Sequence, residues 1–407
     1  MSHKLIERSP DLKKLRDEGY NVAIVADHLI VFDIPYLTSD KKVKIGTLVT
    51  DLIVSGDVVS GMGSHVIQFT GDFPHHLDGS PLEVLRHGTQ QTQIAPGLVT
   101  KHRFSMKPVG VRKYDNYHHK VTTYIGIISG PALEVDPSKD PRTDPVYEAK
   151  EDESVFRYID TNTSRAGLGA LSEKLSIRSV GIIGLGGTGA YILDHIAKTP
   201  VGEIHLFDGD VYSNHNAFRS PGAASLEELK KRPSKVAYYH ALYSKIRRSI
   251  HTHPVPIDEK NIEQLRNMSF VFLCIDNGQA KKLIVRKLEE FGIPFIDVGM
   301  GVDLAGDGSL FGTLRVTTST PEMREQVHAG DRIPFEDGEE ENLYATNIQL
   351  SVLNSMNANF AVIKWMKLMG FLHDSEREHF TAYSLDGNFL VNEDHGPCPI
   401  HTLRTAS

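Results

Sequence analysis

The sequence predicts an α/β protein in two parts: a doubly wound, mostly parallel sheet in the C-terminal part and a separate α+β domain ahead of it. Three observations carry this reading. From about residue 178 onward, apolar strand-like runs alternate with helical stretches, the pattern of a sheet covered by helices on both faces. The first of those strands runs into a glycine-rich turn that opens a helix. Before residue 130 the chain shows short Val- and Ile-rich runs without that alternation, and a polar stretch punctuated by Pro131, Pro137, Pro141 and Pro145 follows them. The domains are therefore placed at residues 1–150, including the proline-bearing stretch as linker, and 151–407.

Each element has its own signal. Ser9 suits a helix N-cap and Pro10 the first helical position; Leu12 and Leu15 share a face, and Gly19 suits the helix end. VAIVADHLIVFDI reads as two short strands broken at Ala26-Asp27, and VKIGTLVTDLIV, SHVIQFTG and KVTTYIGIIS read as further strands. In the C-terminal part RSVGIIG, GEIHLFD, SFVFLCID and IPFIDVGM are buried-type strands, with helices at AYILDHIAKT and QAKKLIVRKLEEFG. SLFGTLRVT reads as a returning strand, followed by a polar loop and a long apolar helix from about Thr346 to Leu368. FTAYSLDGNFLVN closes the chain as a hairpin around Asp386-Gly387. The acidic run Glu339, Glu340 and Glu341 reads as a solvated loop.

Composition narrows the function. Lys and Arg number 44 against 52 Asp and Glu, a net charge of −8, whereas a binder of nucleic-acid backbones carries a basic surplus. No stretch approaches the roughly 18 apolar residues of a membrane span. The N-terminus lacks the apolar core of a signal peptide, so a cytoplasmic location is expected, with no nucleic acid and no membrane as partner. The 2 cysteines, Cys274 and Cys398, exclude a disulfide framework and a zinc site of four cysteines from one chain.

The glycine turn is GIIGLGGTGAYILDHI. Gly184, Gly186 and Gly189 have the spacing G-x-G-x-x-G, with Gly187 and Thr188 between the last two. Glycines let a backbone approach phosphates, and the helix N-terminus presents free N–H groups. The next strand ends at Asp208, a carboxylate placed to accept from a ribose, which makes the part Rossmann-like. That much fits any nucleotide. The residues beyond it discriminate: FDGDVYSNHNAFRSPG carries Asp208, Asp210, Asn216 and Arg219, Lys235 follows, and Asp276 and Asn277 end the strand FLCIDN. Carboxyl ends of strands line the ligand crevice of an open α/β sheet. Two cations and an added carboxylate suit a triphosphate with Mg2+ better than a dinucleotide.

Together GLGGTG, the FDGDVYSNHNAFR segment, the downstream lysine and C-x-D-N resemble the adenylation domain of the family of ubiquitin-activating enzymes, ThiF and MoeB. The resemblance covers about residues 155–370. It implies a ThiF-type fold that binds ATP and Mg2+ and adenylates the C-terminal glycine carboxylate of a ubiquitin-like protein, releasing pyrophosphate. It further implies that Gly184, Gly186, Gly187, Thr188 and Gly189 approach the phosphates and that Asp208 holds the ribose. Asp210 and Asn277 join the nucleotide site, Asn216, Arg219 and Lys235 contact the triphosphate, and Asp276 binds Mg2+. Relatives also use an arginine ahead of the first strand, often reaching the other subunit's site; Arg165 is the choice here and Arg157 the alternative. A homodimer and a conjugating enzyme are the partners the resemblance implies. No general base is needed, because the attacking carboxylate is already ionised near neutral pH. Alignment and neutralisation of charge at phosphorus then carry the catalysis.

The sequence departs from the family in two ways. It lacks the two C-x-x-C pairs that many relatives use for zinc, and the loop after the sheet, from about Val316 to Asn342, has no cysteine to form a thioester. Three outcomes stay open: release of the adenylate, an oxyester on Thr318 with His328 as base, or use of Cys398 between His395 and His401. Cys274 reads as packing under the nucleotide. Two other readings are weighed: adenylation of a peptide or small-molecule carboxylate, and an NAD-dependent oxidoreductase. A non-catalytic scaffold is disfavoured by the intact residue set. The N-terminal domain reads as a docking domain, and its histidines at 75, 76, 87, 102, 118 and 119 read as surface or hydrogen-bonded groups more than metal ligands.

Overall fold

Ala26 and Asp27 adopt positive φ angles of 46° and 57°, closing the tight turn expected between two strands, β1 (Val22–Val25) and β2 (His28–Leu37). The computed structural model that shows this describes residues 2–396 other than 57, 109, 111, 112, 153 and 337–347. The chain divides into two compact units, Met1–Tyr147 with Ser164–Ala166, and Glu148–Thr163 with Gly167–Ser407.

In the first unit, helices α1 (Ser2–Arg8) and α2 (Pro10–Asp17) precede the sheet. The sheet continues through β3 (Val43–Asp51), β4 (Val66–Phe69), β5 (Arg86–Ala95) and β6 (Leu98–Ser105). The strand order is β1-β2-β3-β4-β6-β5, antiparallel throughout. One expectation fails here. KVTTYIGIIS is not a strand but the middle of α3 (Tyr117–Val135), which also takes in Pro131 from the expected linker. The β-branched residues of that run suggest a strand, yet burial falls at Tyr117, Lys120, Val121, Tyr124, Ile125, Ile128 and Ala132, the spacing of one helix face. Asn116 fixes the start: its side chain accepts from His119 N–H at 2.8 Å. That face closes over Val31, Leu48, Ile67, Phe69 and Phe104 of the sheet.

The second unit holds an eight-stranded sheet. Its strands are β7 (Ser179–Ile183), β8 (Glu203–Phe207), β9 (Ile250–His253), β10 (Phe270–Leu273), β11 (Phe295–Leu304), β12 (Leu310–Ser319), β13 (Phe380–Ser384) and β14 (Phe389–Glu393). The order is β9-β8-β7-β10-β11-β12-β13-β14; the first five run parallel and the last three antiparallel. Alternate residues bury on opposite faces. Val180, Ile182, Phe270 and Phe272 pack under α4 (Gly187–Ile196), α5 (Lys235–Tyr243) and α7 (Ser351–Leu368), while Ile183, Val271 and Leu273 pack under α6 (Gly278–Phe291). This is the doubly wound, mostly parallel sheet the alternation predicts. The edge strand β9 has no counterpart in the sequence reading. No helix among the described residues is long and apolar enough to cross a membrane.

Candidate functional site

The turn from β7 into α4 is built by its glycines, each for a different reason. Gly184 stands at φ +90°, where L side chains are strained, and a Cβ there would lie 2.7 Å from the Cys274 carbonyl oxygen. A Cβ on Gly189 would lie 2.0 Å from the Gly184 carbonyl oxygen, so this glycine lets the helix seat against the strand. Gly187 makes room for Asn354 of α7, whose Nδ2 would be 2.0 Å from an added Cβ. Only Gly186, the residue before α4, would point a Cβ into open space. Of the four, Gly186 is therefore the one whose bareness the protein itself does not need, as expected where a ligand approaches.

Thr188 donates from Oγ1 to Asn354 Oδ1 at 2.9 Å, and Asn354 Nδ2 donates to the Arg219 carbonyl at 3.2 Å. This buried asparagine thus ties the glycine turn to the Arg219 segment. Sequence reasoning missed it; the only signal was an amide inside an apolar helix. Asp208, buried, is occupied by the protein's own donors: it accepts from Leu185 N–H at 2.7 Å and Asp210 N–H at 2.8 Å, and pairs with Lys235 at 3.3 Å. The carboxylate expected at a ribose thus clasps the glycine turn. Asp210, with a side chain 75% exposed, takes the other contact of Lys235 Nζ at 2.6 Å.

Asn216 is buried; its Oδ1 accepts from Ser213 N–H at 2.9 Å, while its Nδ2 has no hydrogen-bond partner among the described residues. The Arg219 Nε is likewise buried and unpartnered. Two orphaned donors beside a lysine are an electropositive feature, and its field is felt nearby: burial first, then the charges of Arg219 and Lys235, hold the His215 imidazole below its ordinary value. Asp276 lies exposed just past β10. Asn277 caps α6, its Oδ1 accepting from Ala280 N–H at 2.7 Å. Cys274 packs beneath the turn, 3.1 Å from where a Gly189 Cβ would sit, and burial raises its thiol far above the usual range.

The remaining expected residues fall elsewhere. Arg165 belongs to the first unit, where it pairs with Asp144 at 2.9 Å. Arg157 belongs to the second and donates to the Ser244 carbonyl. Thr318 is inside β12 rather than in a loop, fully buried and register-paired with Ile296, and His328 pairs instead with Glu289 at 3.1 Å. The Thr318 Oγ1 is buried without a hydrogen-bond partner among the described residues, so the expected Thr318–His328 pair is not formed. Cys398, His401 and the run Glu339 to Glu341 lie outside the described residues. Behind the crevice, Asp297 is 0% exposed and held by Lys281 and Arg315, each at 2.7 Å, a charged core that no local pattern announced. In the first unit His118 pairs with Glu18 and His119 with Asp115.

The profile of a domain of unknown function (DUF6791) matches residues 10–161, and that of the ThiF family matches residues 161–390. Among solved structures, E. coli MccB with MccA-N7isoASN is similar at 15% identity, over 60% of this chain and 72% of that one, with a TM-score of 0.44. E. coli MccB with ATP is similar at 16% identity over 59% and 69%, TM-score 0.42. PaaA is similar at 18% over 55% and 75%, TM-score 0.41. No curated protein matches the sequence. With the ThiF profile covering more than half of its 407 residues, the chain belongs to the ThiF family and is an enzyme of the adenylyltransferase type.

Proposed function

We propose that the second unit adenylates the C-terminal glycine carboxylate of a ubiquitin-like protein with Mg-ATP. The carboxylate oxygen attacks the α-phosphorus, the bond from that phosphorus to the bridging oxygen breaks, and pyrophosphate leaves with the electron pair. The observation that carries the reading is the pair of buried donors without partners, Asn216 Nδ2 and Arg219 Nε, in the segment that also holds Asp208 and Asp210 against Lys235. Orphaned buried donors cost stability unless a ligand's acceptor completes them, and a triphosphate offers many.

In this reading Gly186 gives the phosphates backbone access, and Gly184, Gly187, Thr188 and Gly189 shape the turn behind it. Arg219 and Lys235 neutralise charge that builds on the phosphates; Lys235 can exchange exposed Asp210 for phosphate while keeping Asp208. Asp210 and Asn277 border the nucleotide, with Asp208 supporting the turn from within. Asp276 would hold Mg2+, a hard cation suited to its carboxylate, which when bound offsets the triphosphate charge. The buried Thr318 supports release of the adenylate to an external nucleophile. A homodimer, with Arg165 completing the partner's site, and a conjugating enzyme downstream belong to the same proposal. The ubiquitin-like substrate rests on the residue pattern of the family.

The test is ATP–pyrophosphate exchange with a small carrier protein ending in glycine. Exchange is expected to need the terminal glycine, and Arg219→Ala is expected to lower kcat/KM by about 10²–10³-fold; Asp276→Ala should shift its magnesium dependence. Exchange supported equally by a short peptide would move the substrate class to peptides. Binding of NAD instead of ATP, indifferent to Arg219→Ala, would sink the reading.

A further inference from the structure

A second cluster lies along the neighbouring strands β8 and β9. Strand β8 begins Glu203-Ile204-His205, and β9 reads Ile250-His251-Thr252-His253. Side chains two apart on a strand share a face, and the parallel register places His205 beside His251 and Phe207 beside His253. The rings stack, with centroids 4.6 Å apart for His205 and His251 and 5.4 Å for His205 and His253. One ligand atom each from Glu203, His205 and His251 lies within 4.8 Å of the others. Glu203, His205 and His253 also line a cleft of about 370 Å³ together with Arg178, Gln264 and Met268.

We propose that Glu203, His205 and His251 bind a divalent cation of the zinc class, a site separate from the nucleotide crevice. Two ligands held about 2.1 Å from one zinc ion stand about 3.4 Å apart in a tetrahedron, so modest side-chain rotation closes the observed spread. His205 is already oriented for it: its Nδ1 meets His253 Nε2 at 3.2 Å and its Nε2 faces Glu203 at 3.4 Å. In the tautomer that donates from Nδ1 to His253, Nε2 offers its lone pair on the Glu203 side, the arrangement in which a neighbouring acceptor fixes a metal-binding imidazole.

The consequence is structural. β9 is the edge strand of the sheet and has 4 residues, paired on one side to β8. An ion bridging the two strands would staple that edge, and the His253 carbonyl accepts from Asp208 N–H at 3.3 Å, so the staple would steady the carboxylate that clasps the glycine turn. Arg178 in the same cleft opposes a cation, so its removal should tighten binding.

The test uses the full chain, stripped with chelator, titrated with cobalt(II) alone and followed by its visible d–d absorption. One equivalent is expected to give the intense band of a four- or five-coordinate site. His251→Ala, at an exposed position, and Glu203→Gln should each weaken binding at least about tenfold, Arg178→Gln should strengthen it, and Asp276→Ala should leave it unchanged. Zinc should raise the melting temperature of the wild type and not of His251→Ala. Absence of the band, or a band that persists unchanged in both His251→Ala and Glu203→Gln, overturns the proposal.

Discussion

Lys120 in the first unit and Lys235 in the second are both taken out of water, by opposite means. Lys120 Nζ is surrounded by neutral oxygens: Thr50 Oγ1 at 2.6 Å and the carbonyls of Ser64 and Val66, each at 2.7 Å. Burial pushes its ammonium down to about 8. Lys235 sits between two carboxylates, and one of them, Asp210, is mostly exposed. The difference separates a lysine that holds a fold together from one that can serve a ligand. Lys120 has no partner to exchange, because its acceptors are fixed in β3, in β4 and in the approach to β4. Lys235 keeps Asp208 as countercharge, and in the proposed function it trades the exposed Asp210 for an incoming anion. Lys120 thus serves the fold alone, whereas Lys235 keeps its charge next to the glycine turn through Asp208.

The comparison can be broken hardest at the glycine turn. Gly189→Ala would drive a Cβ to 2.0 Å from a backbone oxygen that cannot swing aside. It is expected to cost the second unit about 3 kcal/mol or more. The single tryptophan, Trp365, is fully buried in that unit, so its fluorescence reports on one unit alone. In urea the fluorescence transition should move to lower denaturant while the circular-dichroism signal of the first unit stays in place. Coincident shifts of both signals would mean that the units unfold together and that the contrast drawn between them does not extend to stability.

Lys120 gives a smaller, pH-dependent effect. Its folded value, about 8, lies below its unfolded value of 10.5, so the unfolded chain binds more protons between them. Stability of the first unit should therefore rise with pH from about 8 and lose that gain as pH falls back through 8. Over the two units of pH to 10 the gain is about 2–3 kcal/mol. Above 10 the burial-raised Tyr124 acts the other way, since an unfolded tyrosine ionises there first. Lys120→Met should flatten the rise between pH 8 and 10. A rise that survives the substitution would assign it to another group and remove the contrast with Lys235.

The sequence made some of this legible and hid the rest for physical reasons. The glycine turn, the strands flanking it and the closing hairpin were readable because each has a local signal: a positive φ, a short apolar run, a turn dipeptide. Residues 120–129 were misread because β-branched residues raise strand propensity while the burial spacing, which depends on the neighbouring sheet, makes them helical. Asn354 and the buried Lys281–Asp297–Arg315 group were invisible because their partners lie far away in sequence. The edge strand β9 was missed because its four residues, Ile250 to His253, are mostly polar. Asp208 was found, but not its grip on Leu185, since position at a strand end does not say which donor reaches the carboxylate first.

The smallest expected effect on stability is the sharpest on function. Arg165 and Asp144 form an exposed pair, with side chains 52% and 66% accessible, and such pairs contribute roughly 0–1 kcal/mol. Arg165 falls inside the residues matched by the ThiF profile yet packs with the first unit. If its role is only this surface pair, Arg165→Ala and Asp144→Ala should behave alike: the unfolding midpoint barely moves, and pyrophosphate exchange is unchanged in both. If Arg165 completes a partner's nucleotide site, the two substitutions part company. Arg165→Ala should then lower exchange by about tenfold or more at unchanged stability, and Asp144→Ala, which frees the guanidinium, should not. Mixing Arg165→Ala with a Lys235→Ala chain should in that case restore part of the activity, because a mixed dimer retains one site with both residues intact. Restoration requires two chains to share a site, so its absence, alongside a loss in Arg165→Ala alone, would place the arginine's action within its own chain.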